Sequence, residues 1–207
     1  QDFQSKPTGR NYMADVPGLK VNILQFNYSI AKELAPNYIS DIARFRTIEE
    51  GGWFFDLDQI FLRNFDDLCN YDFVAGRGGD GSMYCGVLGA SPFSGIPALV
   101  NRLQVARLAR STSLPVYGEL GNVFLHKLSK SDEWGNASEG ERHLITGFEY
   151  FYPVNNSGDV PLIYEGKIAV PATENNYALH WYGGHPRSQE FNAKYTAAFA
   201  KRSNDAV

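Results

Sequence analysis

The stretch Gly51-Gly52-Trp53-Phe54-Phe55-Asp56-Leu57-Asp58-Gln59-Ile60-Phe61-Leu62 constrains this chain more than any other. Two glycines punctuate the backbone, and the aromatic run behind them has the character of a buried strand. Two carboxylates come next, separated by one residue. If the strand continues, its alternation places Asp56 and Asp58 on one face and Leu57 on the other. Side-by-side anions repel each other and resist desolvation, so holding both for structural reasons alone is costly. A divalent cation removes both penalties, and hard oxygen ligands suit Mg²⁺, Mn²⁺ or Ca²⁺. The plain alternative is a strand that has reached solvent, where carboxylates are ordinary.

A chain of 207 residues with 43% hydrophobic content can bury a full core around that stretch, and a single domain over 1–207 is the expectation. A net charge of −4 argues against general affinity for nucleic acid or anionic membranes. The apolar runs are too short to span a bilayer, and the polar start Gln1-Asp2-Phe3-Gln4-Ser5-Lys6 is no signal peptide. Cys69 and Cys85 have neither metal-ligand spacing nor a disulfide framework, and read as buried thiols of a cytoplasmic protein.

Leu19 to Phe26 alternates as a half-buried strand. A helical pattern runs from Ser29 to Glu50, broken at Pro36-Asn37, with Ser40 as N-cap of the second helix and Ile42, Phe45 and Ile48 as its apolar side. Asp41 and Arg44 share a face, and the plain reading is a surface ion pair worth well under ~1 kcal/mol. Arg63 to Leu68 reads as a turn and short helix, and Tyr71 to Ala75 as a strand. The loop Gly76-Arg77-Gly78-Gly79-Asp80-Gly81 lacks the Gly-Lys-Ser/Thr of a P-loop, leaving flexible backbone beside a ligand or a simple solvent loop. Gly95 to Arg110 is a helix. From Ser111 strands and loops are expected to dominate, including Phe148 to Pro153. Tyr177 to His185 closes the core, and a polar helix from Ser188 to Arg202 ends the chain. Within that closing segment, Gly183 and Gly184 would let backbone pass close to a diphosphate, and Arg187 could pair with its oxygens.

Taken in order, Ser40-Asp41-Ile42-Ala43-Arg44-Phe45 and Gly51-Gly52-Trp53-Phe54-Phe55-Asp56-Leu57-Asp58 resemble the signature of sugar transferases carrying the Asp-x-Asp motif. Cys85-Gly86-Val87-Leu88-Gly89-Ala90 is similar to that family's Asn-Gly-Val-Leu-Gly-Ala segment. Phe151-Tyr152-Pro153 resembles its Phe-Tyr-Pro, and Leu179-His180-Trp181 its late His-Trp motif. These are nucleotide-sugar glycosyltransferases of the GT-A fold, among them polysaccharide-synthesis enzymes and, distantly, the glucosylating toxins. The resemblance implies an α/β, Rossmann-like mixed sheet flanked by helices. It also implies that Asp41 and Arg44 bind the donor, that Asp58 ligates the metal with Asp56 beside it, and that His180 is a late imidazole ligand. Asp80 and Gly86 are further donor-side candidates. Cys85 departs from the family's asparagine. Such enzymes also open with a strand and helix that seat uracil, so either part of that N-terminal half is missing here or Leu19 to Phe26 takes its place.

The function expected from the resemblance is transfer of a sugar from a nucleotide donor, UDP-linked, to a glycan or other hydroxyl acceptor, with Mn²⁺ or Mg²⁺ as cofactor. An inverting member would need a carboxylate to activate the acceptor, for which Asp80, Glu149 and Asp159 are candidates. Two other classes use parts of the same sequence. A metal-dependent phosphodiesterase or hydrolase would employ the acidic pair, and a carbohydrate-binding module would employ the 14% aromatic content.

Overall fold

The computed structural model describes Gly18 and residues 34–110, 113–156, 158–170 and 173–194. The expected strand from Leu19 to Phe26 and the closing helix beyond residue 194 lie outside the described residues. Helix α1 (Pro36–Ile48) leads through Gly51 into β1 (Gly52–Phe55), a turn, and β2 (Gln59–Phe61). A 3₁₀ turn over Asp66–Asn70 precedes the hairpin of β3 (Phe73–Arg77) and β4 (Met83–Ala90), after which comes α2 (Gly95–Arg110). The remainder comprises α3 (Asn122–Leu128), α4 (Asp132–Ala137), β5 (His143–Thr146), α5 (Phe148–Phe151), α6 (Asp159–Tyr164), β6 (Ala178–His180) and α7 (Pro186–Lys194).

Strand β4 is the centre of a four-stranded sheet ordered β1-β4-β3-β5. It pairs antiparallel with β1 and β3, and β5 adds parallel to β3. A mixed sheet flanked by helices makes this an α/β protein. Both faces are covered, as a near-continuous apolar run such as β4 requires. Phe45 and Ile48 of α1, Ile96, Leu99 and Val100 of α2 and Leu125 of α3 pack on one face. Phe151, Tyr152 and Tyr177 close the other, over Val74 and Val87. Trp53, Phe55 and Phe65 extend that second layer.

One irregularity in the sheet shapes the cleft beside it. Ala75 pairs with Leu88, but the next residue, Gly76, pairs with Tyr84. Residues 85–87 of β4 therefore bulge away from β3, and a bulge changes which way side chains point. Cys85 and Leu88 face the α1 side while Val87 faces the other. Backbone groups that lose ladder partners must find others, and here four of them find a side chain or a turn. Cys85 N donates to Asn122 Oδ1 (2.8 Å), and Cys85 O accepts from Arg44 (2.6 Å). Gly86 O accepts from Asp56 N (2.7 Å), and Val87 N donates to the Tyr152 hydroxyl (2.8 Å).

Several local expectations change. The helix carrying Asp41 starts at Pro36 after an Ala35 N-cap, so Ser40 lies inside it rather than capping it. Proline at the first helical position has no N–H to leave unsatisfied, which explains the earlier start. The strand does not run on through Asp56 and Asp58: β1 stops at Phe55, and residues 57 and 58 form a turn whose Leu57 is fully exposed. Phe148–Phe151 is a helical turn and Tyr152-Pro153 follows it irregularly, so this stretch is no strand, and helices α3 to α7 fill much of the region beyond residue 111. With lengths of four to nine residues they are too short to display a clear helical period. Cys69 is exposed; only Cys85 is the buried thiol expected. No helix among the described residues is long and apolar enough to cross a membrane.

Candidate metal centre and adjoining cleft

The turn after β1 and the strand β6 bring Asp56, Asp58 and His180 together, with one ligand atom from each lying within 4.8 Å of the others. Pairing of β2 with β6 does this. Gln59 stands opposite His180 in that ladder, so Asp58 reaches the imidazole from the adjacent turn. Its Oδ1 is 2.8 Å from His180 Nε2, and its Oδ2 accepts from Gly183 N at 2.8 Å. Trp181 N donates to Asp58 O (2.7 Å) and locks the turn to the strand. Tyr182, in the left-handed region at φ 51°, lays its ring against the imidazole with centroids 4.1 Å apart. Such a conformation costs a non-glycine residue on the order of 1 kcal/mol, and here it orients an imidazole beside the carboxylates.

The two carboxyls of the pair are driven apart electrostatically. Burial would raise Asp58, but the His180 and Gly183 hydrogen bonds outweigh it and hold the group below its ordinary value. Burial raises Asp56 despite the pull of Arg44 and His180, with Asp58 adding repulsion. A divalent cation would offset both the burial and the repulsion. Two carboxylates and one imidazole are hard and borderline donors that fit Mg²⁺ or Mn²⁺.

Beside the cluster opens a cleft of about 660 Å³. Asp41, Arg44, Asp56, Asp80, Gly86 and His180 all line it, so most of the side chains expected at a site converge there. Asp41 and Arg44 form no surface pair. They meet at 3.0 Å with side chains 15% and 8% exposed, because the buried Ile42, Phe45 and Ile48 turn this side of α1 toward the sheet. Arg44 also meets Asp56 at 3.4 Å and donates to Ser40 O, Ser40 Oγ and Cys85 O. Its planar fork is thus committed to the protein, and it bridges two carboxylates rather than presenting free donors. Gly86 is where Asp56 needs room: a Cβ there would lie 2.6 Å from Asp56 Oδ2.

Asp80 belongs to the β3–β4 hairpin loop, where its Oδ1 accepts from Ser82 N (2.9 Å) at the rim of the cleft. Arg187 does not join the site. It lies exposed on α7, paired with Glu190 (3.1 Å) and Glu165 (3.6 Å), and is not among the cleft-lining residues. Gly183, expected beside a diphosphate, instead gives its N–H to Asp58. Glu149 and Asp159 also lie outside the lining, which leaves Asp80 of the three proposed acceptor-activating carboxylates.

Asn122, His126, Tyr152 and Tyr182 also line the cleft, and no motif or spacing in the sequence marks them for a site. Asn122 is the notable omission. Its Oδ1 lies 2.7 Å from Cys85 Sγ, so a carboxamide from α3 stands next to the cysteine found where an asparagine was expected. The Cys85 thiol itself is inert, with burial pushing it up to about 12.

Asp41 carries a testable signature. Burial lifts its carboxyl from the ordinary 3.8 to about 6, against the pull of Arg44 and with help from Asp56, which competes for the same guanidinium. The unfolded chain ionises Asp41 near 3.8 and the folded chain near 6, so between these values the folded state holds the extra proton. Stability from this group is full below pH ~4 and lost as pH rises through ~6, by roughly 2–3 kcal/mol. Asp41→Asn should remove that slope. Urea melts of both proteins from pH 4 to 7 check it, and parallel curves would refute it.

An Asp56–Asp58–His180 cluster that could hold a metal ion thus stands at the edge of a cleft in an α/β fold. No protein-family model, curated protein or solved structure matches the chain.

Proposed function

We propose that this chain is a GT-A-type glycosyltransferase that moves a sugar from a nucleotide donor, UDP-linked, to a glycan or other hydroxyl acceptor. The observation that carries this reading is the continuous chain Asp41–Arg44–Asp56, which runs from the cleft wall to the Asp56, Asp58 and His180 cluster. A sugar nucleotide needs polar groups on its sugar and charge compensation at its diphosphate, and this cleft has both side by side. Asp56, Asp58 and His180 would hold Mn²⁺ or Mg²⁺, whose charge would offset that developing on the departing diphosphate. Arg44 fixes Asp41 and Asp56 relative to each other, so their oxygens are oriented before the sugar arrives. Asn122 supplies a carboxamide beside Cys85 for the sugar hydroxyls. Tyr84, Tyr152 and Tyr182 wall the cleft and limit water that would otherwise hydrolyse the donor. Asp80 at the rim is the carboxylate best placed to meet an acceptor hydroxyl.

UDP release from a panel of UDP-sugars, measured with Mn²⁺ or EDTA and with or without a mixed glycan acceptor, tests the reading. The expected result is release that needs the metal and rises several-fold with acceptor. Cleavage of simple phosphodiesters with no response to sugar nucleotide would move the site to a metal-dependent hydrolase. Glycan binding unaffected by EDTA, with no UDP release, would leave a carbohydrate-binding domain.

A further inference from the structure

We propose that Gln59 is the positioning residue for His180, holding the imidazole through Nδ1 so that Nε2 is directed at the carboxylates. The inference rests on the metal centre proposed above and not on the identity of the donor. Both amide atoms of Gln59 and Nδ1 of His180, on one and the same ladder, are buried with no hydrogen-bond partner. An unmet buried donor or acceptor costs on the order of 1–3 kcal/mol, so three of them in one place call for a shared partner.

The ladder sets these two residues opposite each other, with no hydrogen bond yet joining their side chains. Gln59 and His180 are direct cross-strand partners in the antiparallel β2–β6 pair. Trp181 N bonds Asp58 O and Leu62 N bonds Tyr177 O, which marks 58–181 and 62–177 as hydrogen-bonded positions. Alternation then makes Gln59–His180 a non-hydrogen-bonded position, the kind whose side chains approach most closely. Their Cβ atoms lie about 4.5–5.5 Å apart on one face at such positions, within reach of a rotation about the glutamine side chain.

A carboxamide suits the task in a way that other side chains do not. With Nε2–H donating to Asp58 Oδ1, Nδ1 is a lone pair and needs a donor, which the Gln59 amide nitrogen provides. When Nε2 is given to a cation, Nδ1 carries the proton and needs an acceptor. The Gln59 amide oxygen provides that after a flip of the same group. Ligating histidines are regularly held in this manner through their other nitrogen.

The test is ¹⁵N NMR of the histidine-labelled 207-residue chain, free of metal and with Mg²⁺, together with calorimetric titration by Mn²⁺. Wild type is compared with Gln59→Met, which keeps length and apolar packing, and with Gln59→Glu, which keeps an acceptor. The expected result is that Gln59→Met moves the His180 Nδ1 shift in the metal-free protein, because its lone pair loses a donor, and weakens Mn²⁺ binding about 10- to 100-fold. Gln59→Glu should hold Nδ1–H with or without metal and bind Mn²⁺ within several-fold of wild type. Should Gln59→Met not fold, the Nδ1–H signature in metal-free Gln59→Glu carries the test. His180 shifts unmoved in both variants overturn the proposal, and so does weakened Mn²⁺ binding with unmoved shifts, which would mark a distorted strand. Wild type that binds Mn²⁺ but no UDP would defeat the donor reading and leave this one intact.

Discussion

Asp58→Asn is expected to cut sugar transfer by about 10²–10³-fold and Mn²⁺ affinity by about a hundredfold, which at 1.4 kcal/mol per decade is near 3 kcal/mol. The substitution removes a formal charge from a site that holds two carboxylates and one imidazole within 4.8 Å. It leaves the shape of the side chain intact. Asparagine still offers an oxygen to Gly183 N, so the turn after β1 and its bond to Trp181 should persist. The melting temperature of the metal-free protein near pH 7 should therefore fall only modestly. In EDTA, UDP affinity of variant and wild type should converge, because the difference lies in the cation. Equal Mn²⁺ affinity and turnover in D58N would remove this residue from the centre. Asp58 also brings a pH effect of its own. Its folded carboxyl sits below the ordinary value, so its stabilisation is present above pH ~4 and is lost as pH falls below it. D58N should lack that acid-side loss.

Arg44→Met should destabilise the fold by about 3–5 kcal/mol at neutral pH. The guanidinium is 8% exposed between Asp41 and Asp56, and its removal strands both carboxylates and the Cys85 carbonyl on the bulge. Methionine fills much of the same volume, so the loss reports charge and hydrogen bonding rather than a cavity. Stranded carboxyls can escape by taking a proton. Asp41 already titrates near 6, and without Arg44 both groups move further up. The destabilisation should therefore be smaller at pH 5 than at pH 7.5. Chemical denaturation at the two pH values measures this, and a cost below ~1 kcal/mol at both would mean that Arg44 contributes no more than an exposed ion pair does.

Much of the scaffold was legible in the chain. Ile42, Phe45 and Ile48 marked the buried side of α1, and α2 has the limits that its pattern indicated, Gly95–Arg110. The Trp53-Phe54-Phe55 run is a strand, although half-buried rather than buried, and the acidic pair after it does lie in a ligand-like cluster. The route by which the two carboxylates converge differs from the one alternation indicates. Strand alternation suggested a shared face, whereas a turn bends both toward β6. The short helices after residue 111 were missed, although Ser131 with Asp132 and Glu133 behind it is a legible start for α4.

By itself the sequence determined the local elements and the chemistry on offer: apolar periodicity selects helix or strand, and residue type selects charge and ligand character. The tertiary structure decided which of these groups meet. The bulge at residues 85–87 arises where β4 must serve β1 and β3 at once, and its freed backbone groups take Arg44, Asn122, Asp56 and Tyr152 as partners. His180 reaches Asp58 across 122 positions of chain because β2 and β6 pair. Such contacts satisfy buried polar groups over long sequence separations, and no period or spacing encodes them.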